Sequence, residues 1–182
     1  MIFFNIVLAL VLLIVFLLGC LFLITPLFSK IPSVSTRRKV LKQIVEVMDL
    51  RDGSVLYDLG CGDGRVLFSA LGVYKDITCI GVEKAPFPFL IAKLHQFFSP
   101  NKNISIIYGD MFKAEVSSAT HIFLYLLPGF MDTLLPKLEK ELKPGARVFS
   151  CDFQFSKRKP DLVINLSSKK YQLSRRLYVY DF

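Results

Sequence analysis

The feature that most constrains the fold is a glycine-rich turn set between an apolar strand and an apolar helix. It lies in the segment YDLGCGDGRVL, residues 57–67, where glycine occupies every second position from 60 to 64. Such glycines let the backbone bend sharply and approach a ligand closely. The dinucleotide-binding pattern G-x-G-x-x-G would need a further glycine where Arg65 stands. Because Asp58 and Asp63 add negative charge, the turn suits a cationic ligand better than a phosphate.

Around this turn, apolar runs alternate with segments of helical period. Strands are predicted in SVLYDLG, ITCIGVE, ISIIYGD, THIFLYLLP and ARVFSCDFQF, and helices in GRVLFSALGV, PFLIAKLHQFF and GFMDTLLPKLEKEL. This alternation predicts an α/β fold with a mostly parallel, doubly wound sheet and right-handed crossovers. The tail has no further helix, so DLVINL and YQLSRRLYVYDF are predicted to pair as strands and to give the sheet an antiparallel edge strand.

Two helices carry apolar side chains at helical spacing. The first precedes the glycine turn, can be capped by Ser35 or Thr36, and ends at RDG. Its apolar face is formed by Val40, Leu41, Ile44, Val45, Val47 and Met48. In the second, the near-helical spacing of the phenylalanines predicts that they lie in the core rather than on a binding surface: Phe87, Phe89, Phe97 and Phe98.

The first 28 residues form an uncharged apolar segment. No charged side chain occurs before Lys30, and Ile6–Ile24 is almost wholly Leu, Ile, Val and Phe. As a helix, that stretch extends about 28 Å at the rise per residue of an α-helix, enough for a bilayer core. A cleaved signal peptide is the alternative, but there is no basic n-region and no A-x-A site, and the apolar run is longer than a usual h-region. We therefore expect residues 1–28 to be a retained transmembrane anchor.

The net charge of +8 is concentrated in two basic stretches, and the remainder of the chain is slightly acidic. Residues 30–48 carry five basic and one acidic side chain, and residues 156–176 carry seven basic and one acidic. The first stretch follows the apolar segment and nothing basic precedes it, so the positive-inside rule predicts a single-pass membrane protein with a cytoplasmic C-terminal domain. Attraction to anionic lipid explains this flank. A nucleic-acid patch is the alternative, but no binding motif accompanies it, so no nucleic acid is expected as a partner.

The segment YDLGCGDGRVL resembles motif I of the class I, seven-strand methyltransferases, which bind S-adenosyl-L-methionine. The resemblance implies a Rossmann-like seven-stranded sheet, with the glycine turn against the methionine and sugar portions of the cofactor. From this segment it implies the cofactor-binding residues Asp58, Gly60, Cys61, Gly62 and Gly64. It further implies that Glu83, which ends the second strand, holds the ribose hydroxyls. Asp110 after the third strand would meet the adenine amino group, with Met111 beside the ring.

A narrower resemblance covers nearly all of residues 32–182. Four segments resemble the small protein-lysine methyltransferases that modify the mitochondrial adenine nucleotide translocase and the ATP synthase c-subunit, and their archaeal relatives. These segments are PSVSTRRKVLKQIV, LYLLP, KLEKELKPGARVFSCDFQF and LYVYDF. Two departures stand out. After the fifth-strand phenylalanine, DFQFSKRKP has neither proline nor tryptophan at the places where the family usually has them, and Ser35 replaces the second proline of P-x-V-P-T.

The resemblance implies a membrane-anchored methyltransferase that acts on lysine side chains of a membrane-associated protein. Residues 1–28 would be the anchor, 29–53 a basic juxtamembrane connector with an amphipathic helix, and 54–182 the methyltransferase domain. A lipid or small-molecule N- or O-methyltransferase at the membrane surface explains the anchor equally well. A non-catalytic scaffold that binds the cofactor is a third alternative.

Two side chains near the ends of the fourth and fifth strands are candidates for catalysis. Tyr125 can orient an incoming lysine amine, and Asp152 can attract its ammonium form. A half-buried strand aromatic and a loop carboxylate are the alternatives.

His95 and His121 lack metal-ligand spacing and are expected to be structural, and the four cysteines contain no C-x-x-C pair. No metal is expected, and a reducing compartment fits the cysteines.

Overall fold

The computed structural model describes residues 2–28, 38–166 and 176–182. Its helices are α1 (Ile2–Phe28), α2 (Arg38–Val47), α3 (Arg65–Val73), α4 (Pro86–Phe98) and α5 (Pro128–Glu141). Its strands are β1 (Val55–Leu59), β2 (Thr78–Glu83), β3 (Ile104–Tyr108), β4 (His121–Leu124), β5 (Arg147–Cys151), β6 (Leu162–Asn165) and β7 (Arg176–Asp181).

The seven strands form one sheet in the order β3-β2-β1-β4-β5-β7-β6. Strands β1 to β5 are parallel, whereas β7 runs antiparallel to both β5 and β6. The predicted mostly parallel sheet is confirmed. The strand order reverses between β1 and β4, and open α/β sheets bind ligands at the carboxyl ends of strands beside such a point.

The predicted antiparallel pairing of the two tail strands is confirmed, and β6 forms the sheet edge. The strand that runs against the parallel five is β7, one place inside that edge. Four consecutive residues of β7 are buried, whereas β6 is largely exposed. A strand with buried side chains on both faces is better protected by a neighbour on each side, and the exposed β6 suits the edge. Part of the tail segment predicted as a strand, residues 171–175, lies outside the described residues.

Helix α2 is built into the core of the sheet domain. The residues of its predicted apolar face that are buried are Val40, Leu41, Ile44, Val45 and Met48, and Val47 packs partly against them. They belong to the same core cluster as Leu56 of β1 and Phe123 of β4. The predicted caps, Ser35 and Thr36, lie outside the described residues.

Helix α4 departs from the prediction that its phenylalanines lie in the core. Phe97 and Phe98 are each 77% exposed, while Phe87 and Phe89 are half-buried. Ala92 is the fully buried residue of the helix. The prediction is wrong for Phe97 and Phe98 because α4 is apolar on two faces, and periodicity alone does not tell which face meets the sheet.

Helix α1 is long and apolar enough to cross a membrane. Its window Phe3–Cys20 has a mean hydropathy of 3.0, and none of it is buried against the protein. Cα atoms of α1 come within 8 Å of Cα atoms of α4. The apolar helix therefore lies beside α4.

Candidate functional site

The glycine turn between β1 and α3 requires glycine at three positions. Gly60, Gly62 and Gly64 have φ angles of 86°, 58° and 77°, in the left-handed region that side chains disfavour. A Cβ on Gly60 would lie 3.1 Å from Cδ2 of Leu126, which comes from the chain after β4. The backbone N–H of Gly60 donates to the carbonyl of Val82 at 2.8 Å, so the turn is also tied to β2. A side chain at position 60 would fill the space above the turn.

The side-chain carboxyl group of Asp58 is buried, and no residue that the structure describes donates a hydrogen bond to it. It is 3% exposed at the end of β1. Burial first, and then the nearby carboxylates of Glu83 and Asp63, raise its pKa well above the ordinary aspartate value. Buried polar groups in folded proteins nearly always have partners, so this carboxyl group points to a ligand that carries positive charge or hydrogen-bond donors.

Glu83 holds the glycine turn in place from the end of β2. Its Oε2 accepts a hydrogen bond from the backbone N–H of Gly62 at 2.8 Å, and its Oε1 accepts one from Ala85 at 2.7 Å. The carboxylate thus joins the turn to the start of α4. The resemblance implied contacts to ribose hydroxyls from this residue, and the structure adds a positioning role that sequence reasoning missed.

A second missed residue is Gly81, in the middle of β2. A Cβ there would lie 2.8 Å from Sγ of Cys61, 2.8 Å from Cδ1 of Leu67 and 2.9 Å from Cδ1 of Ile106. Cys61 is buried beneath the turn, so a side chain at position 81 would push the turn out of place. A glycine inside an apolar strand was the available signal, since it often marks a close approach.

Asp63 contributes less free charge than the sequence suggested. Burial opposes its ionisation, but the hydrogen bonds and charge of Arg65 outweigh burial and lower its pKa. Arg65 Nε donates to Asp63 Oδ1 at 2.8 Å. Among the described residues, the carboxyl groups of the turn that are not already paired with a cation are therefore those of Asp58 and Glu83.

The two histidines make contacts that suit structural roles. In α4, His95 Nδ1 lies 3.2 Å from the carbonyl oxygen of Asp63, beside the glycine turn. His121 begins β4 and stacks on Phe149, with ring centroids 6.0 Å apart. Burial, and then the charge of Arg147, lower the pKa of His121, which favours the neutral ring.

Asp110 and Met111 follow β3 at the same end of the sheet. Asp110 Oδ2 accepts a hydrogen bond from Lys84 Nζ at 2.9 Å, and its Oδ1 accepts one from the N–H of Phe112 at 3.1 Å. Both contacts, that of Lys84 more than that of Phe112, lower the pKa of Asp110 and keep it ionised. Met111 is buried and packs in the cluster that contains Val82.

The two candidate catalytic residues are in contact. Tyr125 Oη donates a hydrogen bond of 2.7 Å to Asp152 Oδ2. Asp152 has a φ of 63°, and its backbone N–H donates to the carbonyl of Arg176 on β7 at 2.8 Å. Because the two residues follow β4 and β5, they lie at the same edge of the sheet as the glycine turn. The reversed strand β7 helps to fix this pair.

Two proteins of known activity are similar to the chain over most of its length. A protein-lysine N-methyltransferase of Saccharolobus islandicus (strain REY15A) is 33% identical over 151 residues, which cover 82% of this chain and 93% of that protein. A human lysine N-methyltransferase named for the ATP synthase c-subunit is 31% identical over 143 residues, which cover 77% of this chain and 60% of the human protein. The chain thus spans nearly the whole archaeal relative but about three fifths of the human one.

A crystal structure of an RNA methyltransferase from Salinibacter ruber, in complex with S-adenosyl-L-homocysteine, has the same fold. The TM-score is 0.72 at 31% identity, covering 81% of this chain and 93% of that one. S-adenosyl-L-homocysteine is what S-adenosyl-L-methionine becomes after methyl transfer. The left-handed glycines and the buried carboxyl group of Asp58 fit such a cationic cofactor. The family profile described as ANTKMT methyltransferase domain matches residues 58–162, more than half of the chain. The chain belongs to this family and is an S-adenosyl-L-methionine-dependent methyltransferase.

Proposed function

We propose that this chain is a membrane-anchored methyltransferase that transfers methyl groups to lysine side chains of proteins. The observation that carries the proposal is the similarity to the archaeal protein-lysine N-methyltransferase, which extends over 93% of that protein. The human relative is also named for a lysine acceptor. The part of the chain that the structure describes has no inserted substrate domain between its strands, which leaves room for a macromolecular acceptor.

On the cofactor side, we assign binding to the residues at the ends of β1, β2 and β3. They are Asp58, Gly60, Cys61, Gly62, Gly64, Glu83, Asp110 and Met111. Glu83 and the buried carboxyl group of Asp58 lie beside the turn, and Gly60 lets the backbone pass close beneath Leu126. The cofactor supplies an electrophilic methyl group on a sulfonium centre. The task of these residues is to hold that group facing the ends of β4 and β5.

On the acceptor side, we assign the lysine to the Tyr125–Asp152 pair. The carboxylate of Asp152 attracts the ammonium group as it enters, and the lysine loses one proton to solvent before its nitrogen attacks the methyl group. The Tyr125 hydroxyl donates a hydrogen bond to Asp152. Its oxygen can at the same time accept a hydrogen bond from the lysine amine and so orient the amine nitrogen. Leu126 is 3% exposed and lies over Gly60, where it excludes water from the space between the two halves of the site.

We further propose that residues 1–28 cross the membrane once and that residues 54–182, the methyltransferase domain, lie in the cytoplasm. The mean hydropathy of 3.0 in Phe3–Cys20 supports the crossing. The basic residues of the connector, 29–53, support the orientation. The packing of α2 in the core indicates that this helix works as part of the domain, although it belongs to the connector by sequence.

Labelling with the purified full chain in detergent tests the acceptor class. The chain is incubated with membrane extract and S-adenosyl-L-methionine labelled in its methyl group, and the products are separated. Label recovered as methyl-lysine after acid hydrolysis supports the proposal. The similar Salinibacter ruber protein is described as an RNA methyltransferase, so label that is removed by ribonuclease would favour RNA instead. Label that extracts into organic solvent would favour a lipid acceptor.

The scaffold alternative is tested by calorimetry on the same preparation. A catalytic chain binds S-adenosyl-L-homocysteine and also transfers label to an acceptor. Binding without any transfer to extract from several sources would favour a non-catalytic role. Absence of binding would contradict the cofactor assignment itself.

A further inference from the structure

The outward face of α4 is apolar, although its inward face already packs on the sheet. At 100° per residue, the buried Ala92 lies opposite a stripe formed by Leu90, Leu94, Phe97 and Phe98. These four residues, called the α4 patch, are exposed by 45%, 50%, 77% and 77%. A helix on the surface of a soluble protein normally has a polar outer face, whereas a helix that is apolar all round is covered by something.

The surroundings of the α4 patch are basic. Between Glu83 and Asp110 the sequence has three lysines and no acidic residue. Lys93 and Lys102 line a shallow groove together with Leu90, Leu94 and Phe97 of the patch. Apolar side chains bordered by lysines, without a carboxylate among them, match an anionic lipid surface, which offers acyl chains and negative headgroups together.

The position of α1 makes a bilayer the natural partner of the patch. Cα atoms of α1 come within 8 Å of those of α4, so the charge-free helix and the patch lie on the same side of the domain. Nine residues, 29–37, separate α1 from α2. Even fully extended, they reach only roughly 35 Å. A domain held this close to a bilayer by α1 has α4 beside the lipid.

From these observations we infer that the α4 patch lies in the lipid headgroup region as a second membrane contact of the domain. This inference rests on the proposed anchor. Helix α4 leads from the carboxyl end of β2 back to the amino end of β3 and so runs along the strands. If α4 lies parallel to the bilayer surface, the strands lie parallel to that surface as well. The site at their carboxyl ends then opens sideways at headgroup height, where it meets protein segments that emerge from the bilayer.

The absence of tryptophan from the chain allows a direct test. The variant Phe97→Trp places a single fluorophore in the patch, and the matched variant Leu162→Trp places one at the opposite sheet edge, where Leu162 is 49% exposed. Each full chain is reconstituted into vesicles of phosphatidylcholine and phosphatidylserine, with or without brominated acyl chains. Co-flotation with the vesicles reports the anchor separately.

We expect bromine to quench the Phe97→Trp variant at least ~3-fold more than the Leu162→Trp variant, and the emission of Phe97→Trp to be blue-shifted. Adding Lys93→Glu to the Phe97→Trp variant should reduce the quenching, because the lysine faces anionic lipid. Equal or absent quenching in a chain that floats would overturn the patch contact and leave the anchor standing. A blue-shifted but unquenched Phe97→Trp variant would mean that protein covers the patch, and this too would overturn the inference. A chain that does not float contradicts both proposals.

Discussion

The carboxyl group of Asp58 is the most unusual single feature of the site, because it is buried beside Glu83 and Asp63 with no donor among the described residues. Glycines at 60, 62 and 64 open the backbone above it. A buried carboxyl group whose ionised form a cation would stabilise, beside backbone that only glycine adopts readily, suits a sulfonium cofactor. Burial of this carboxyl group without a hydrogen-bond donor destabilises the ligand-free turn, and the same property favours the binding of a cationic ligand.

The stability of the ligand-free chain should depend on Asp58 in a way that changes with pH. Its folded-state pKa is raised, chiefly by burial, so the folded chain holds this proton more tightly than the unfolded chain. Stability from this group is therefore present below the ordinary carboxyl pKa of ~3.9 and is lost as the pH rises above it. Asp58→Asn should be more stable than the parent near neutral pH, by about 1 kcal/mol or more.

Thermal unfolding of the full chain in detergent, without cofactor, checks this at several pH values. The difference between Asp58→Asn and the parent should shrink toward pH ~4, where the parent carboxyl is neutral in both states. A stability difference of constant size across this pH range, or a variant less stable than the parent at neutral pH, would show that folding does not raise the pKa of Asp58.

Gly60→Arg should abolish cofactor binding without unfolding the chain. The new side chain starts from a left-handed residue, 3.1 Å from Leu126, and fills the space above the turn. The affinity for S-adenosyl-L-homocysteine, measured by calorimetry, should fall ~100-fold or more. Gly129→Ala is the matched control, because a Cβ there meets nothing within 4 Å, and it should bind as the parent does. Parental affinity in Gly60→Arg would remove the turn from the cofactor site.

Asp152→Asn should impair the acceptor step and spare the cofactor. Its charge is proposed to draw in the ammonium group, and a hydrogen bond to a charged group is worth roughly 10-fold or more in rate. We expect kcat/KM for the acceptor to fall by that factor, with an unchanged Kd for S-adenosyl-L-homocysteine. Glu139→Gln, a charge change on the exposed C-terminal part of α5, is the control. Equal loss in both variants would assign the effect to net charge.

At the scale of elements, β2 positions the site more than its own sequence suggests. Its carbonyl at Val82 accepts hydrogen bonds from the turn, its last residue Glu83 accepts one from Gly62, and its Gly81 makes room for Cys61. The turn is therefore shaped from the neighbouring strand as much as from its own glycines. This is why the register between β1 and β2 matters for binding.

Gly81→Ala should disturb this fit. The added Cβ would lie within 2.9 Å of three side-chain atoms, and overpacking of this kind costs about 1–3 kcal/mol of stability. Both the midpoint of thermal unfolding and cofactor affinity should fall. Gly72→Ala in α3, where a Cβ meets nothing within 4 Å, should be neutral or slightly stabilising. Parental behaviour of Gly81→Ala would mean that β2 and the turn adjust freely.

Local pattern was sufficient to predict the first five strands and the helices between them, because each is short, apolar and bounded by turn residues. It did not predict that β7 lies between β5 and β6, because the order of strands in a sheet depends on contacts between segments that are far apart in the sequence. The contact of Glu83 with Gly62 joins residues 21 apart and has no local signature. Phe97 and Phe98 were misplaced because α4 is apolar on both faces.

The whole molecule combines an enzyme that uses a soluble cofactor with a helix that is long and apolar enough to cross a membrane. Helix α1 lies beside α4, which carries the α4 patch, and the basic residues of the connector follow α1 in the sequence. In the proposed arrangement, the cofactor reaches the glycine turn from solution, and the Tyr125–Asp152 pair opens at the membrane surface. Under this arrangement the acceptor is a lysine close to the bilayer, and distance from the membrane sets which proteins are modified.

Membrane-bound lysine methylation is tested by mass spectrometry of membrane proteins from cells with the gene, without it, and with the Asp152→Asn variant restored. We expect methylated lysines on a membrane protein that are present with the parent gene, absent without it, and strongly reduced with the variant. Identical lysine methylation in all three cell lines, with methyl groups instead missing from lipid or RNA when the gene is removed, would contradict this expectation.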